Sequence, residues 1–267
     1  MMGVTILKAI LGAVCVVAAV LTVTWPVRAD GVCDAALDGQ WDRQNDTCTT
    51  TIVSQRQAVM TLTVDLPQGL IGHPTLGPPL LDYLRDRTQS WRAAGHSMVR
   101  ASHIAIVHRT YTHKTVKSVV FNEFQQTVGN PANNTFRSFT FDTAAGKQLT
   151  LADLFKPGVN PHTALPSLAR PFLAEALEQA QPPHEAGTYP FTTDRFEPQT
   201  RTSNYSGDYR AFALTPNELI LFMPDRPMSH EDPWPHDRLV WSMDGGTIEA
   251  HVPLSALNSI LRQDLTV

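Results

Sequence analysis

Hydrophobic positions along the 267-residue chain change period several times, and each change marks an expected element. The first is a block without period: residues 9–23 are apolar almost without a break, behind Lys8 and ahead of Trp25-Pro26, with small Val27 and Ala29 just beyond. A positive start, an apolar run and small residues at the cleavage spacing are the parts of an export signal. Residues 1–29 are therefore expected to be removed, leaving a chain that begins near Asp30 and works outside the cytoplasm. If the segment is kept, the run from Val4 to Val23 approaches the roughly 20 residues that cross a bilayer, and the protein is a tethered ectodomain.

Beyond residue 50 the pattern becomes extended. Residues 51–65 carry Ile52, Val53, Val59, Met60, Leu62 and Val64 among threonines and predict one long strand, bulged near 55–57. Glycines and prolines make 66–79 a loop, and Pro78 or Pro79 then opens a helix. Leu80, Leu81, Leu84 and Trp91 share one face of it, Asp82, Arg85, Asp86 and Gln89 the other, and Gly95 closes it. Residues 98–111 and 115–128 read as a hairpin turning at 112–114. In 135–143 Phe136, Ser138 and Thr140 alternate with Arg137, Phe139 and Phe141, so an aromatic face must be covered.

The second half begins with a tight turn at 144–147 and a short helical turn capped by Thr150, with Asp153 at the capping-box position. Asn160-Pro161 opens a helix reaching Gln179, which Pro166 and Pro171 are expected to restart or kink. The polar block 181–208 reads as a surface loop or binding lid. A hairpin follows across Thr215-Pro216-Asn217, then a second proline-rich loop at 224–237 and a last strand at 247–252. Pro253 starts a closing helix with Leu254, Leu257, Ile260 and Leu261 inward. Strands and helices in this order give an α+β fold, with helices packed on antiparallel sheets.

Charge and cysteines narrow the function. The formal charge of −4 becomes −6 once residues 1–29, with Lys8 and Arg28, are gone. A mildly acidic chain without Lys/Arg clusters is a poor nucleic-acid binder, because phosphate contacts need concentrated positive charge. Cys15 leaves with the signal, so Cys33 and Cys48 remain and are expected to form one disulfide in an oxidising compartment, stapling residues 30–50 to the body. Neither sits in a Cys-x-x-Cys pair, which disfavours a metal.

Two stretches carry a family resemblance. One runs from Asn134 through Phe136, Phe139, Phe141 and Asp142 and resumes at Gly146-Lys147-Gln148-Leu149-Thr150-Leu151-Ala152-Asp153-Leu154-Phe155; the other runs from Tyr209 to Pro224, followed by Val252-Pro253-Leu254-Ser255-Ala256-Leu257. Together they resemble the RsiV-like family of bacterial extracytoplasmic domains, and the leader with an early cysteine pair is similar to its secreted mycobacterial immunogenic proteins. The resemblance implies two intimately packed lobes, residues 51–145 and 146–267, the second β-grasp-like. It also implies a lysozyme-type partner; the style of the leader suggests an actinobacterial source, and the long polar loops without catalytic motifs suggest a non-catalytic protein of the envelope or exterior that binds a protein or a cell-wall glycan. The chain departs from the family at Gly129-Asn130-Pro131-Ala132, where many members have Gly-Gly-x-His, and it shows no cytoplasmic sigma-binding segment.

Candidate chemistry is sparse. Gly95-His96-Ser97-Met98-Val99 imitates the start of a nucleophile elbow, but a helix precedes it, a strand follows it, and Val99 replaces the closing glycine. His230, Glu231, Asp232, His236 and Asp237 offer ligands, yet Pro233 and Pro235 exclude the helix that would fix them, so a solvated loop is expected. His103, His108 and His113 are expected on a solvated face of the hairpin. The candidate binding residues are Trp234 on the second loop and Tyr189 and Tyr205 on the first, aromatic rings among polar residues that suit recognition. Asp194, Glu197, Asp208 and Tyr209 flank the same block. No cofactor motif is present. A secreted hydrolase acting on esters or polysaccharides is the alternative to a binding protein.

Overall fold

The structure, a computed structural model, describes residues 29–130, 132–180, 183–198, 204–205, 209–224, 228–229, 240–242 and 247–266. Its helices are α1 (Ala29–Leu37), α2 (Gln68–Ile71), α3 (Gly77–Ser97), α4 (Pro161–Glu178) and α5 (Leu254–Leu257). The first strands are β1 (Gln40–Asp42), β2 (Thr47–Val53), β3 (Val59–Asp65), β4 (Ser102–His113), β5 (Val116–Thr127), β6 (Asn133–Asp142) and β7 (Lys147–Leu149). They are followed by β8 (Asn204–Tyr205), β9 (Phe212–Leu214), β10 (Glu218–Pro224), β11 (Met228–Ser229), β12 (Val240–Ser242) and β13 (Thr247–Pro253).

The fold is α+β. One eight-stranded sheet runs β1-β2-β3-β4-β5-β6-β12, with β7 also paired to β6. Its pairs are antiparallel except β3 with β4. A parallel pair needs a crossover, and α2 with α3 supplies it. Leu80, Leu84, Thr88, Trp91 and Gly95 form the buried stripe that seats α3 on the sheet. Gly95 is not the stop signal that its sequence position suggests, since α3 continues to Ser97. A Cβ there would lie 2.6 Å from Met60 Cε and 3.0 Å from Ile52 Cγ2, so the glycine permits close approach of α3 to β2 and β3.

Two hydrophobic cores lie on opposite faces of this sheet. Met60, Leu62, Ile104, Ile106, Phe121, Phe139 and Phe141 pack under α1 and α3. Val116, Val120 and Phe136 of β5 and β6 instead join α4 and a three-stranded antiparallel sheet, β13-β10-β9. Strict alternation along β6 thus feeds both cores, and both its faces are covered where the sequence alone demanded only one.

Three expectations need correction. Residues 51–65 are a hairpin rather than one bulged strand: Ser54 Oγ accepts from the Arg56 and Ala58 N–H groups at 3.2 and 3.0 Å, and Gln57 takes φ +61°. Without glycine or proline, this turn carries no composition signal. Helix α4 does not restart at Pro166 or Pro171: burial of Pro161, Leu165, Ala169, Leu173 and Leu177 holds it together across the backbone hydrogen bonds that the two prolines cannot make. The closing helix is a single turn, after which Leu261 pairs with Phe155. The disulfide between Cys33 and Cys48 is present as expected, at a Cα separation of 5.4 Å, and holds α1 and β1.

Candidate functional site

The two proline-rich loops meet. Strand β8 from the first pairs antiparallel with β11 from the second, Tyr205 opposite Met228 and Asn204 opposite Ser229. Beside this ribbon runs a row of rings: His184 and Tyr189 are 5.2 Å apart, Tyr189 and Phe191 6.2 Å, Phe191 and Phe196 6.4 Å. Phe196 is fully buried and Tyr189 half-buried, so the row runs from the core toward the surface. Edge-to-face and tilted contacts at these distances suit the ring quadrupoles and fix the row. Trp234, with His230, Glu231, Asp232, His236 and Asp237, lies outside the described residues, as does Asp208.

Glu197 is committed to structure. It accepts from Arg170 Nε at 2.8 Å and Nη2 at 3.0 Å, a bidentate pair that ties α4 to the turn at Thr193–Phe196. Next to this pair, Tyr209 is buried at φ +54°. Burial pushes the pKa of its hydroxyl up, and the Glu197 carboxylate adds to the rise. Ser97 lies exposed in the last turn of α3, and its Oγ donates to the Ala94 carbonyl at 3.2 Å. The three hairpin histidines do not share a solvated face. His103 is exposed, His108 Nδ1 lies 2.9 Å from Asp65, and His113 is buried with Nε2 3.1 Å from the Leu265 carbonyl.

A cavity of about 470 Å³ opens beside the core under α4, where β7 and β12 leave a gap along β6. Its polar lining includes Arg137, Arg210, His162, Gln148 and Asn160, and its apolar wall is Leu149, Leu151, Pro161 and Phe212. Ser138 Oγ fixes the wall by donating to the Arg210 carbonyl at 3.2 Å and accepting from the Phe212 N–H at 3.0 Å. Asn160 caps α4, its Oδ1 accepting from the His162 N–H at 3.0 Å. Among the described residues, no group of three or more His, Cys, Asp and Glu is placed to hold a metal ion, and no helix is long and apolar enough to cross a membrane.

The rim is set by the expected capping box. Asp153 accepts from the Thr150 N–H at 2.8 Å, from its hydroxyl at 2.6 Å and from Lys147 Nζ at 2.7 Å. The Lys147 bond, then the Thr150 bonds, hold the carboxyl at about 2 instead of 3.8. Because the folded value lies below the unfolded one, the stabilisation is complete above pH 3.8 and is lost as the pH falls to about 2. Denaturant midpoints of the native protein and Asp153→Asn, measured from pH 6 downward, should therefore converge as pH 2 is approached. A constant offset would refute the assignment.

Residues 152–255 match the model of a family described as "Protein of unknown function (DUF3298)". Among solved structures, the chain is similar to a DUF3298 family protein from Pseudomonas aeruginosa PAO1, at 14% identity, covering 82% of this chain and 94% of that one with a TM-score of 0.50. A DUF3298 family member from Bacteroides fragilis NCTC 9343 is 11% identical, covering 81% of this chain and 92% of that one with a TM-score of 0.44. The first of these likenesses shows the fold. No curated protein matches the chain.

Proposed function

We propose that this protein is a secreted, non-catalytic binding module, RsiV-like in kind, that recognises a macromolecule of the bacterial envelope or exterior. The observation that carries the reading is the β8–β11 pairing. It joins one short strand from each of two long polar segments, separated in sequence by a hairpin, beside the aromatic row. Loops held on a rigid frame, with an aromatic residue part-exposed among polar ones, are the usual construction of a recognition surface. The apolar leader and the disulfide fit an oxidising exterior.

The family resemblance points to a lysozyme-type protein as partner, and a formal charge of −6 without residues 1–29 favours encounter with a basic protein. Titration calorimetry of residues 30–267 with lysozyme should give saturable heat at micromolar concentration, weakened when residues 225–239 are replaced by a short Gly/Ser turn. An absence of heat removes lysozyme as the partner. Esterase and deacetylase assays on the same protein should be flat and unchanged by Ser97→Ala; turnover that this substitution abolishes would sink the non-catalytic reading.

A further inference from the structure

We infer that the end of the large sheet where Val53, Val59, Ala101 and Val128 lie side by side docks onto an anionic lipid bilayer. It involves elements other than the β8–β11 ribbon and does not depend on the binding-module reading. Register brings the four residues into one row. Val53 pairs with Val59, Met60 pairs with Ser102, and Ser102 pairs with Thr127. One step further out, the Val128 N–H donates to the Ala101 carbonyl at 2.9 Å. Ile52 and Met60 are buried under α3, so alternation turns Val53 and Val59 to the opposite, open face. The Gln55 N–H donates to the His96 carbonyl at 3.1 Å, which brings the last turn of α3, and Val99 after it, to the same end. Among the described residues five large apolar side chains are exposed, and four of them, Val53, Val59, Val99 and Val128, are these, at 43 to 64%. Scattered singly they would need no explanation; gathered at one end they mark a contact surface.

Charge decides what this surface meets. Residues 53–59, 96–103 and 126–134, which build the end, contain Arg56, His96, Arg100 and His103 and no Asp or Glu, in a chain of formal charge −4. Arg56 is exposed, and Arg100 Nη1 leans on two neutral acceptors, the Val128 carbonyl at 3.5 Å and Asn130 Oδ1 at 3.4 Å. Asp38, beside residues 49–51 of β2, is paired with Arg92. Apolar side chains at loop tips and exposed cations beside them supply the two attractions that hold a protein at an anionic membrane surface. A hollow of about 470 Å³ lies between Val59, Ala101 and Val128, with Thr61, His103 and Gln126 also lining it. A second copy related by a two-fold axis would set hollow against hollow and bring the same positive charges together. Fluid anionic headgroups fill the hollow and neutralise the charge, while the valines reach the acyl boundary.

The test is flotation of residues 30–267 with vesicles of phosphatidylcholine, alone and mixed with phosphatidylglycerol. This chain omits the apolar leader, which would enter bilayers by itself, and keeps every described residue except Ala29. It should bind the mixed vesicles saturably and phosphatidylcholine alone far less, and added salt should release it. Arg56→Gln and Arg100→Gln should each weaken binding about fivefold and together about 25-fold, the effect of a basic residue near such a surface. Val53→Ser with Val128→Ser should weaken it about tenfold or more. Val107→Ser, about 20 Å further along the chain from Ala101, should leave it unchanged. Brominated lipid should quench Val128→Trp and not Val107→Trp, a readout of position that a folding defect does not imitate. Equal binding to both vesicles, no binding, variants that bind like the native protein, or a dimer in sedimentation that the valine variants dissolve would each overturn the inference. Lysozyme heat without flotation would remove only the membrane surface, whereas flotation without lysozyme heat would remove only that partner.

Discussion

Replacing Glu123 with alanine is expected to lower stability by about 3–5 kcal/mol, the range for removing one member of a buried ion pair. Glu123 is 1% exposed in the middle of β5. It accepts from Arg87 Nε at 2.9 Å and Nη2 at 3.3 Å, and from the Trp91 indole N–H at 2.8 Å. Both partners are buried on α3, so the carboxylate joins the crossover helix to the sheet. Without it, the buried Arg87 charge and the Trp91 donor both lose this acceptor, and part of the desolvation cost that was offset no longer is. The melting temperature should fall by roughly 6–20 °C for a chain of this size. Arg87→Met with Glu123→Leu should lose far less, because no charge is stranded. If Glu123→Ala melts within a few degrees of the native protein, the pair is not stabilising the fold.

Removing the disulfide should cost about 3 kcal/mol, the loop-entropy value for a closed loop of about 15 residues. Cys33 and Cys48 are both buried, so Cys33→Ala with Cys48→Ala opens little volume and isolates the effect of the link. What the link holds is a short helix and a three-residue strand, too small to persist by local interactions. Arg92 reinforces them, with Nη2 donating to the Leu37 carbonyl at 2.7 Å and to Thr50 Oγ1 at 3.2 Å. A reductant should shift the denaturant midpoint of the native protein down by the same amount and leave the double variant where it is. Identical midpoints with and without reductant would show that packing alone fixes α1.

Strict alternation made β6 legible, and β-branched and aromatic composition made β4 and β5 so; β10 stood out instead as a continuous apolar run, all of whose residues from Leu219 to Met223 are buried. The capping box of Thr150 and Asp153 was equally plain, being a local device. The segment before residue 50 was opaque because its order comes from a covalent link and from Arg92 on a distant helix, neither of which leaves a period. The short β8, β11 and β12 were opaque for a related reason: two or three residues give no pattern, and pairing across sequence defines them. Tyr189 was legible as a ring in a polar block, but its contacts with His184 and Phe191 were not. The cavity was not, because Arg137, His162 and Arg210 are brought together only by the sheet and the start of α4. The one available hint was Arg137, a charge inside an otherwise aromatic strand.

The sheet serves as a party wall. Val116, Val120 and Phe136 floor the core that α4 and the three-stranded sheet share, yet they precede residue 152, where the family-matched span begins. Excised alone, residues 152–255 would expose an unroofed greasy surface and lack their largest bed, so that span is a tenant and not an autonomous, portable unit. Any graft of this lobe onto another protein has to carry β5 and β6 with it.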